Sequence, residues 1–345
     1  VAIDWSRTWT VRWRVFRVDP STWANAGEVA GVDSVSVKRD SAGASPLVDS
    51  GGMVVTGDRP AAGYYRIVAD VTQDGTMARE SVATLLFEGT GGTADHGRVT
   101  HEMDGRSVLW PAAVDLLPYG AYVGAGVDAA RYAAGLLSRS VAAPVRVEGD
   151  GFRLAVPVTH EPGDSALDAA WQVLRMGGHG IRIEGDGTVI VRPDPTEPAL
   201  SLDAAGAGLL RTGIQYAADY SDVPTEYVAV DEHEAATATN DDPASPTSSV
   251  ARGYVVRVVD ESPSPLEGET LGAYAARRLR EESTVRETRT YKRKWVPGVL
   301  PGDLVRGSMP SVLLDGDMRV TSQSLAVGGG IEVTERAQME VVTWT

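Results

Sequence analysis

The chain has 345 residues, 43% of them hydrophobic, with no cysteine, five histidines and 32 basic against 47 acidic side chains, a net charge of −15. Lack of cysteine excludes disulfides, thiolate metal sites and thiol nucleophiles, and the acidic balance opposes binding to phosphate backbones, which attract Lys and Arg. No apolar run approaches the roughly 20 residues that span a bilayer, and Asp4, Arg7 and Arg12 interrupt any signal-peptide core, so the chain is expected to fold in the cytoplasm in which it is made.

At the N-terminus Trp9, Val11, Trp13 and Val15 alternate with Thr10, Arg12 and Arg14, the period of a strand with one dry face. Tyr65, Ile67, Ala69 and Val71 repeat the pattern. Asp74-Gly75 then supplies a turn whose residues tolerate positive φ, and Ala83 to Phe87 returns as a strand. A twisted antiparallel sheet closing into a small barrel is expected here. The Gly- and Thr-rich stretch Gly89 to Ala94 reads as a boundary loop.

After Pro118 the pattern becomes mixed. Val127 to Leu137 is alanine-rich and helical, with Val127, Tyr132 and Leu136 able to share a stripe. Val145 to Val147 and Phe152 to Val158 read as a hairpin around Glu148-Gly149-Asp150-Gly151. Ser165 to Met176 is the best-defined helix: Ser165 and Asp168 form a capping-box pattern, Gly177-Gly178 stops it, and Leu167, Trp171 and Leu174 mark the buried face. Ile181 to Ile183 and Val189 to Val191 flank a Gly185-Asp186-Gly187 turn, and Pro193, Pro195 and Pro198 close the segment.

Strands are expected again at Ile214 and at Glu226 to Val230. Asp231 to Ser249, dense in Ala, Thr, Asn, Asp, Ser and Pro, reads as a long exposed loop. Gly253 to Val259 reads as a strand, and Glu269 to Glu282 as a helix burying Leu271, Tyr274, Ala275 and Leu279. A β run from Val285 to Trp295 leads through Pro-Gly turns to Leu304-Val305. A last hairpin joins Arg319 to Val327, across Gly328 to Gly330, with Ile331, Val333, Ala337, Met339 and Val341. The expected fold class is α+β, mainly β. Residues 1–98 form one barrel-like domain, 201–262 with 296–345 a second, 99–200 an α+β insert and 263–295 a helix-strand insertion. Two β-domains of similar size suggest a duplicated unit.

The motifs supply little chemistry. Gly124-Ala125-Gly126-Val127-Asp128-Ala129 imitates a dinucleotide fingerprint, but Pro118 and Gly120 spoil the strand that must precede it. Asp231-Glu232-His233-Glu234 offers four potential ligands in a row, which point in different directions and read as a solvated acidic loop. Asp241-Asp242, His101-Glu102 and His160-Glu161 lack calcium or zinc spacing. No nucleophile elbow occurs, and nothing selects a carboxylate pair. Neither catalytic, cofactor nor metal residues are assigned. One basic run stands out: Arg286, Arg289, Lys292, Arg293 and Lys294, within a strand that carries Val285, Tyr291 and Trp295. It reads either as a subunit interface, with an acidic neighbour or another copy, or as a charge-protected edge strand.

Four strings, taken in order, resemble one family. They are Val32 to Val37 with Ser45 to Gly51, Gly63 to Arg66 and Ala83 to Phe87; Asp164 to Trp171 with Ile181 to Pro193; Tyr220 to Val230; and the helix around Ala275, Ala276 and Leu279 with Val299-Leu300-Pro301-Gly302-Asp303-Leu304-Val305. Together they are similar to hub or tail-tip (minor tail) proteins of long-tailed bacteriophages, which include contractile-phage baseplate hubs. In the third string the family often has an asparagine where this chain has Thr225-Glu226. The resemblance implies two barrel-like tube domains per chain and a homotrimeric ring joining a sixfold tail tube to a threefold tip. It also implies a lumen that passes DNA at ejection, and no catalytic residues. The implied partners are further copies of the chain, distal tail and tail tube proteins, tail fibre or tip proteins and the tape measure protein. Sequence-specific nucleic-acid binding is not expected, and the implied location is the virion, at the tail tip or baseplate. An acidic wall suits a lumen that DNA must slide past, although solubility alone also accounts for the charge. No hydrolase or receptor-binding domain is expected after Thr345. The alternative reading, a tail-associated cell-wall hydrolase or glycan-binding module, would require a cleft with converging carboxylates or aromatics.

Overall fold

In the computed structural model the described residues are 3–41, 48–202, 210, 213–231, 234–263, 269–327 and 331–342. Strands take up 50% and helices 14%, a mainly β α+β protein as the alternations predict. Contacts group the chain into two units, Val1–Ile214 with Thr290–Ala337, and Gln215–Arg289 with Gln338–Thr345.

The first unit opens with seven strands: β1 (Thr10–Val18), β2 (Asn25–Glu28), β3 (Val32–Asp40), β4 (Val48–Thr56), β5 (Gly63–Gln73), β6 (Thr76–Asp95) and β7 (Arg98–Arg106). They lie in the order β3-β4-β7-β6-β5-β1-β2, each pair antiparallel. Tyr65, Ile67, Ala69 and Val71 are all buried, and Trp9, Val11 and Trp13 pack against the same core. Asp74 (φ 47°) and Gly75 (φ 81°) make the expected turn. The expected loop at Gly89 to Ala94 is instead the far half of β6, paired residue by residue with β7. Small Gly and Thr side chains form a ladder well enough once a partner strand is present, because the backbone supplies the bonds.

The α+β insert follows, with α1 (Trp110–Val114), β8 (Tyr122–Val123), α2 (Ala129–Ser140), β9 (Val145–Val147), β10 (Val158–Thr159), α3 (Ala166–Arg175), β11 (His179–Ile183) and β12 (Val189–Pro193). The capping box is present: Ser165 Oγ accepts from Asp168 N, and Asp168 accepts from Ser165 N. α2 buries Ala129, Ala130, Ala133, Ala134, Leu136 and Leu137, while Val127 stays outside that face. β11 and β12 form the predicted hairpin. The other expected hairpin does not exist. β9 runs parallel to β12 (Val145 opposite Val189), and β10 pairs with β8. The intervening Phe152 and Leu154 seal the start of α2, accepting from Ala129 N and Gly126 N at 2.9 and 2.8 Å. Those bonds occupy backbone N–H groups that a nucleotide phosphate would need, so the Gly124–Ala129 string is a helix lead-in.

After β13 (Pro198–Leu202) the second unit holds β14 (Gln215–Ala217), β15 (Glu226–Val230), β16 (Ala235–Thr239), α4 (Ser249–Arg252), β17 (Arg257–Asp260), α5 (Leu271–Glu282) and the first part of β18 (Thr284–Lys294). The sheet is β16-β15-β17, and α5 lays Leu271, Tyr274, Ala275 and Leu279 over Tyr227 and Ala229. This revises the exposed-loop reading of Asp231 to Ser249. β16 pairs fully with β15, and Asn240, Ser245, Thr247 and Ser248 are buried. Polar side chains fill that space because they bond one another and the backbone. Asn240 Nδ2 donates to Ser245 Oγ at 3.0 Å, and Ser248 caps α4 by accepting from Ala251 N. Gly253, at φ 73°, is the C-cap of α4, so the strand after it begins only at Arg257. Glu232 and His233 lie outside the described residues.

The chain returns to the first unit through β18, β19 (Leu304–Met309), β20 (Leu314–Val327) and β21 (Ile331–Val342). β20 pairs antiparallel with β3, from Ser322 opposite Asp40 to Val327 opposite Val35. Early and late strands therefore share one sheet. β19 pairs antiparallel with the first half of β20, Leu314 to Arg319, and carries β13 parallel to it.

Candidate assembly surface

β18 carries the five basic residues singled out from sequence, and its pleat divides them. Side chains alternate across a strand. Val285, Arg289, Tyr291, Arg293 and Trp295 are buried, while Arg286 and Lys292 face outward. Arg286 Nε lies 3.5 Å from Glu340 and Lys292 Nζ 3.2 Å from Glu332, both exposed pairs. Lys294 Nζ reaches the Arg7 carbonyl at 3.3 Å. Arg289 is 7% exposed, bonded to Glu287 at 2.6 Å and stacked over Tyr216. Arg293 is 0% exposed and meets no solvent. The five residues therefore do not make one surface: two are turned into the protein, and a partner could reach only the others.

Arg293 is matched by Glu335 on β21. The Glu335 carboxylate accepts from Arg293 Nη2 at 2.6 Å and Nε at 3.1 Å, from Gln323 Nε2 at 2.8 Å and from the Tyr291 hydroxyl. All four side chains are buried. Burial, and then the neighbouring carboxylate, push the Tyr291 phenol well above its ordinary range. Burial works against the Arg293 charge, but Glu335 outweighs it and holds the guanidinium protonated.

A second buried network was invisible in the sequence, although its members Arg182, Glu184, Arg192 and Asp303 all lie in family-like strings. Asp303 is 1% exposed. It accepts from Arg182 Nη1 at 2.6 Å, from Arg192 Nη2 and from Leu300 N at 2.9 Å. Arg182 continues to Glu184 and to the Gly298 carbonyl. These bonds tie β11 and β12 of the insert to the loop before β19. Arginine's planar fork suits such multidentate contact.

The Gly185-Asp186-Gly187 turn docks on the N-terminal strands. Thr84 Oγ1 donates to Gly185 O at 3.0 Å, Trp23 Nε1 to Asp186 O at 2.8 Å, and Arg66 Nη2 to the same carbonyl at 2.8 Å. Trp23 sits at φ 57°, unusual for a bulky residue, and is held there by these contacts. A Cβ on Gly185 would lie 1.9 Å from the Ser81 carbonyl oxygen. Only glycine permits that approach. Beside the turn is a cleft of about 490 Å³ lined by Arg39, Glu80, Glu184, Trp295 and Leu300 among others. At its base Arg39 is buried and donates to the Val82 carbonyl. Asp49, opposite it across β3 and β4, has its carboxyl pushed up to about 6 by burial, with Arg39 opposing.

None of these groups is arranged as an acid–base or nucleophilic pair. Among the described residues no cluster of three or more His, Asp or Glu side chains could hold a metal. Among the same residues no helix is long and apolar enough to cross a membrane. His160 is buried between the Tyr132 hydroxyl and Gln172 Oε1, at 2.9 and 3.1 Å, a satisfied core histidine.

No protein-family profile and no curated protein matches the chain. Solved structures do. The tail protein from Neisseria meningitidis MC58 superposes with a TM-score of 0.62 at 16% identity, over 97% of this chain and 98% of that one. The 43 kDa tail protein of prophage MuSo2 from Shewanella oneidensis gives 0.61 at 12% identity, over 94% and 97%. A chain of the Francisella PdpA–VgrG complex gives 0.55 at 5% identity, over 96% of this chain but 58% of that one. From end to end, then, the chain carries the fold of phage tail proteins, as the ordered motifs of its sequence led one to expect.

Proposed function

We propose that this chain is a structural component of a phage tail, a hub-type ring subunit at its distal end, without catalytic activity of its own. The observation that carries this reading is coverage. The likeness to two tail proteins runs through nearly the whole of this chain and of theirs. Fold alone does not assign function, so the reading stands on assembly, which is what the test below measures.

In the fuller form of the proposal, residues 1–98 and 201–262 with 296–345 act as two barrel-like tube domains. Residues 99–200 and 263–295 are inserted between and within them. Three copies present six such domains around a channel, joining a sixfold tail tube to a threefold tip. DNA passes through a lumen that the net charge of −15 keeps non-adhesive. Distal tail and tail tube proteins, tip or fibre proteins and the tape measure protein are the expected neighbours, and the virion tail the location. Within the ring, the outward-facing Arg286 and Lys292 are the basic residues available to an acidic neighbour, while Arg289 and Arg293 stiffen the strand behind them.

Solution mass and negative-stain electron microscopy of the purified protein test the proposal. A threefold ring with a channel wide enough for duplex DNA is expected, alone or after addition of the distal tube partner. A monomer that persists with that partner present would refute it.

A further inference from the structure

The cleft beside the Gly185-Asp186-Gly187 turn holds a cation that the protein leaves largely unbonded. Arg39 is 3% exposed. Among the described residues its guanidinium makes one hydrogen bond, from Nη2 to the Val82 carbonyl. Nε is buried without a partner, and Nη1 donates to no protein atom among those residues. Val82 is the extra residue of a bulge in β6, since Ile67 faces Ala83 and Val68 faces Ser81. The bulge frees its carbonyl to hold the guanidinium in place. Buried arginines elsewhere in this unit close on carboxylates, Arg182 on Asp303 and Glu184, and Arg293 on Glu335. Asp49 stands opposite Arg39 in the β3–β4 register, yet no bond joins the two among the described residues. Burial works against the Arg39 charge, and the fields of Asp49 and Glu184 do not make up the difference. A buried ion needs an opposite charge and hydrogen-bond acceptors, and the cleft has room to admit them. At about 490 Å³ it falls within the size range of small-ligand sites.

The walls carry both signs. Arg79 and Arg146 line the cleft but are already paired, with Asp70 at 2.7 Å and Glu148 at 3.2 Å. Of the acids, Glu184 accepts from Arg182 at 2.6 Å and Asp186 from Thr188 N at 2.9 Å. Glu80 is half-buried, and desolvation raises its carboxyl above the ordinary value. A ligand with two negative charges would meet these three carboxylates for the sake of one open guanidinium, so the balance favours a single negative charge. The planar fork of arginine matches a carboxylate best. We propose that this cleft binds an organic carboxylate, seated on Arg39. The group is carried either by a small free acid or by an acidic side chain of a partner protein. It accepts from Nη1, and the guanidinium is already fixed from behind by Val82, so little ordering is lost on binding. The inference stands apart from the ring proposal and does not require it.

The test titrates the intact, isotopically labelled chain at constant ionic strength and follows its arginine Nε–H resonances by NMR. The Arg39 resonance is the one missing from Arg39→Lys. Propionate is expected to shift it saturably. Propionamide, of the same shape without the charge, and sulfate, with two charges, should act about tenfold more weakly or not at all. Asp49→Asn removes the negative charge that faces Arg39. It should tighten propionate several-fold at neutral pH, where that carboxyl, titrating at about 6, is mostly ionised. Arg39→Met, with circular dichroism matching the parent, should lose propionate binding measured by calorimetry; retained binding overturns the proposal. If that variant does not fold, the parent and Asp49→Asn decide the matter. No saturable shift in the parent, an equal response to propionamide or sulfate, or no gain in Asp49→Asn overturns it and leaves Arg39 to water. A peptide capped at both ends and carrying one Glu separates the two sources. Tighter binding than propionate assigns the site to a partner's acidic side chain, and weaker binding to a free acid.

Discussion

Glu335 offers the sharpest test of how the late strands are held. Glu335→Gln keeps the shape of the side chain and removes its charge. Arg293 then remains at 0% exposure with no anion beside it, and the bonds from Arg293, Gln323 and Tyr291 lose their charged acceptor. Breaking a buried pair by removing one partner costs about 3–5 kcal/mol. That is a large part of the roughly 5–15 kcal/mol that holds an ordinary domain together. Urea unfolding followed by tryptophan fluorescence measures it directly, with Trp295 two residues beyond Arg293 on the same strand face. A control separates charge burial from packing. Replacing the whole group, as Arg293→Met with Glu335→Leu and Tyr291→Phe, should recover at least half the loss, because a buried pair is often no better than a well-packed apolar set. Gln323 keeps a partner in that variant, the Val299 carbonyl at 2.9 Å. If Glu335→Gln alone costs less than about 1 kcal/mol, the middle of the range for point substitutions in general, Arg293 reaches water and the reasoning is wrong.

Two further changes probe the insert and the cleft. Gly185→Ala places a methyl group 1.9 Å from the Ser81 carbonyl and should cost about 1–3 kcal/mol through overpacking. Gly91→Ala, with nothing within 4 Å, should stay within about 0.5 kcal/mol; equal thermal shifts for the two would show that the turn does not dock as described. Asp49 should make stability depend on pH. Its folded carboxyl titrates at about 6 against a usual 3.8, so the folded state holds the proton more tightly. That contribution is complete below the unfolded value and is lost as pH rises through about 6. Asp49→Asn should flatten this part of the profile and stabilise the protein at pH 7 by up to about 3 kcal/mol. Parallel profiles for variant and parent between pH 4 and about 8 would count against the buried carboxyl.

Much of the local structure was legible because backbone geometry alone sets it. The two-residue period of β1 and β5, the Asp74-Gly75 turn and the Ser165–Asp168 capping box each depend on residues close in the chain. Misreadings arose where local composition and pairing disagree. Gly89–Ala94 and Ala235–Thr239 have the residues of loops, yet a neighbouring strand satisfies their backbones. The basic strand was legible as a strand, and the same period would have divided its charges into outward Arg286 and Lys292 and inward Arg289 and Arg293. What no local pattern held was the identity of the inward partners.

The sequence by itself determined most of the strands and helices, which of their faces are apolar, and that no thiol or signature motif supplies chemistry. Only the tertiary structure decided that β9 joins β12 rather than its neighbour, that β20 pairs with β3, and that Glu335 waits 42 residues beyond Arg293. The physical reason is range. Periodicity and capping act through bonds spanning a few residues, whereas strand partners and buried ion pairs are selected by desolvation and packing summed over the whole fold.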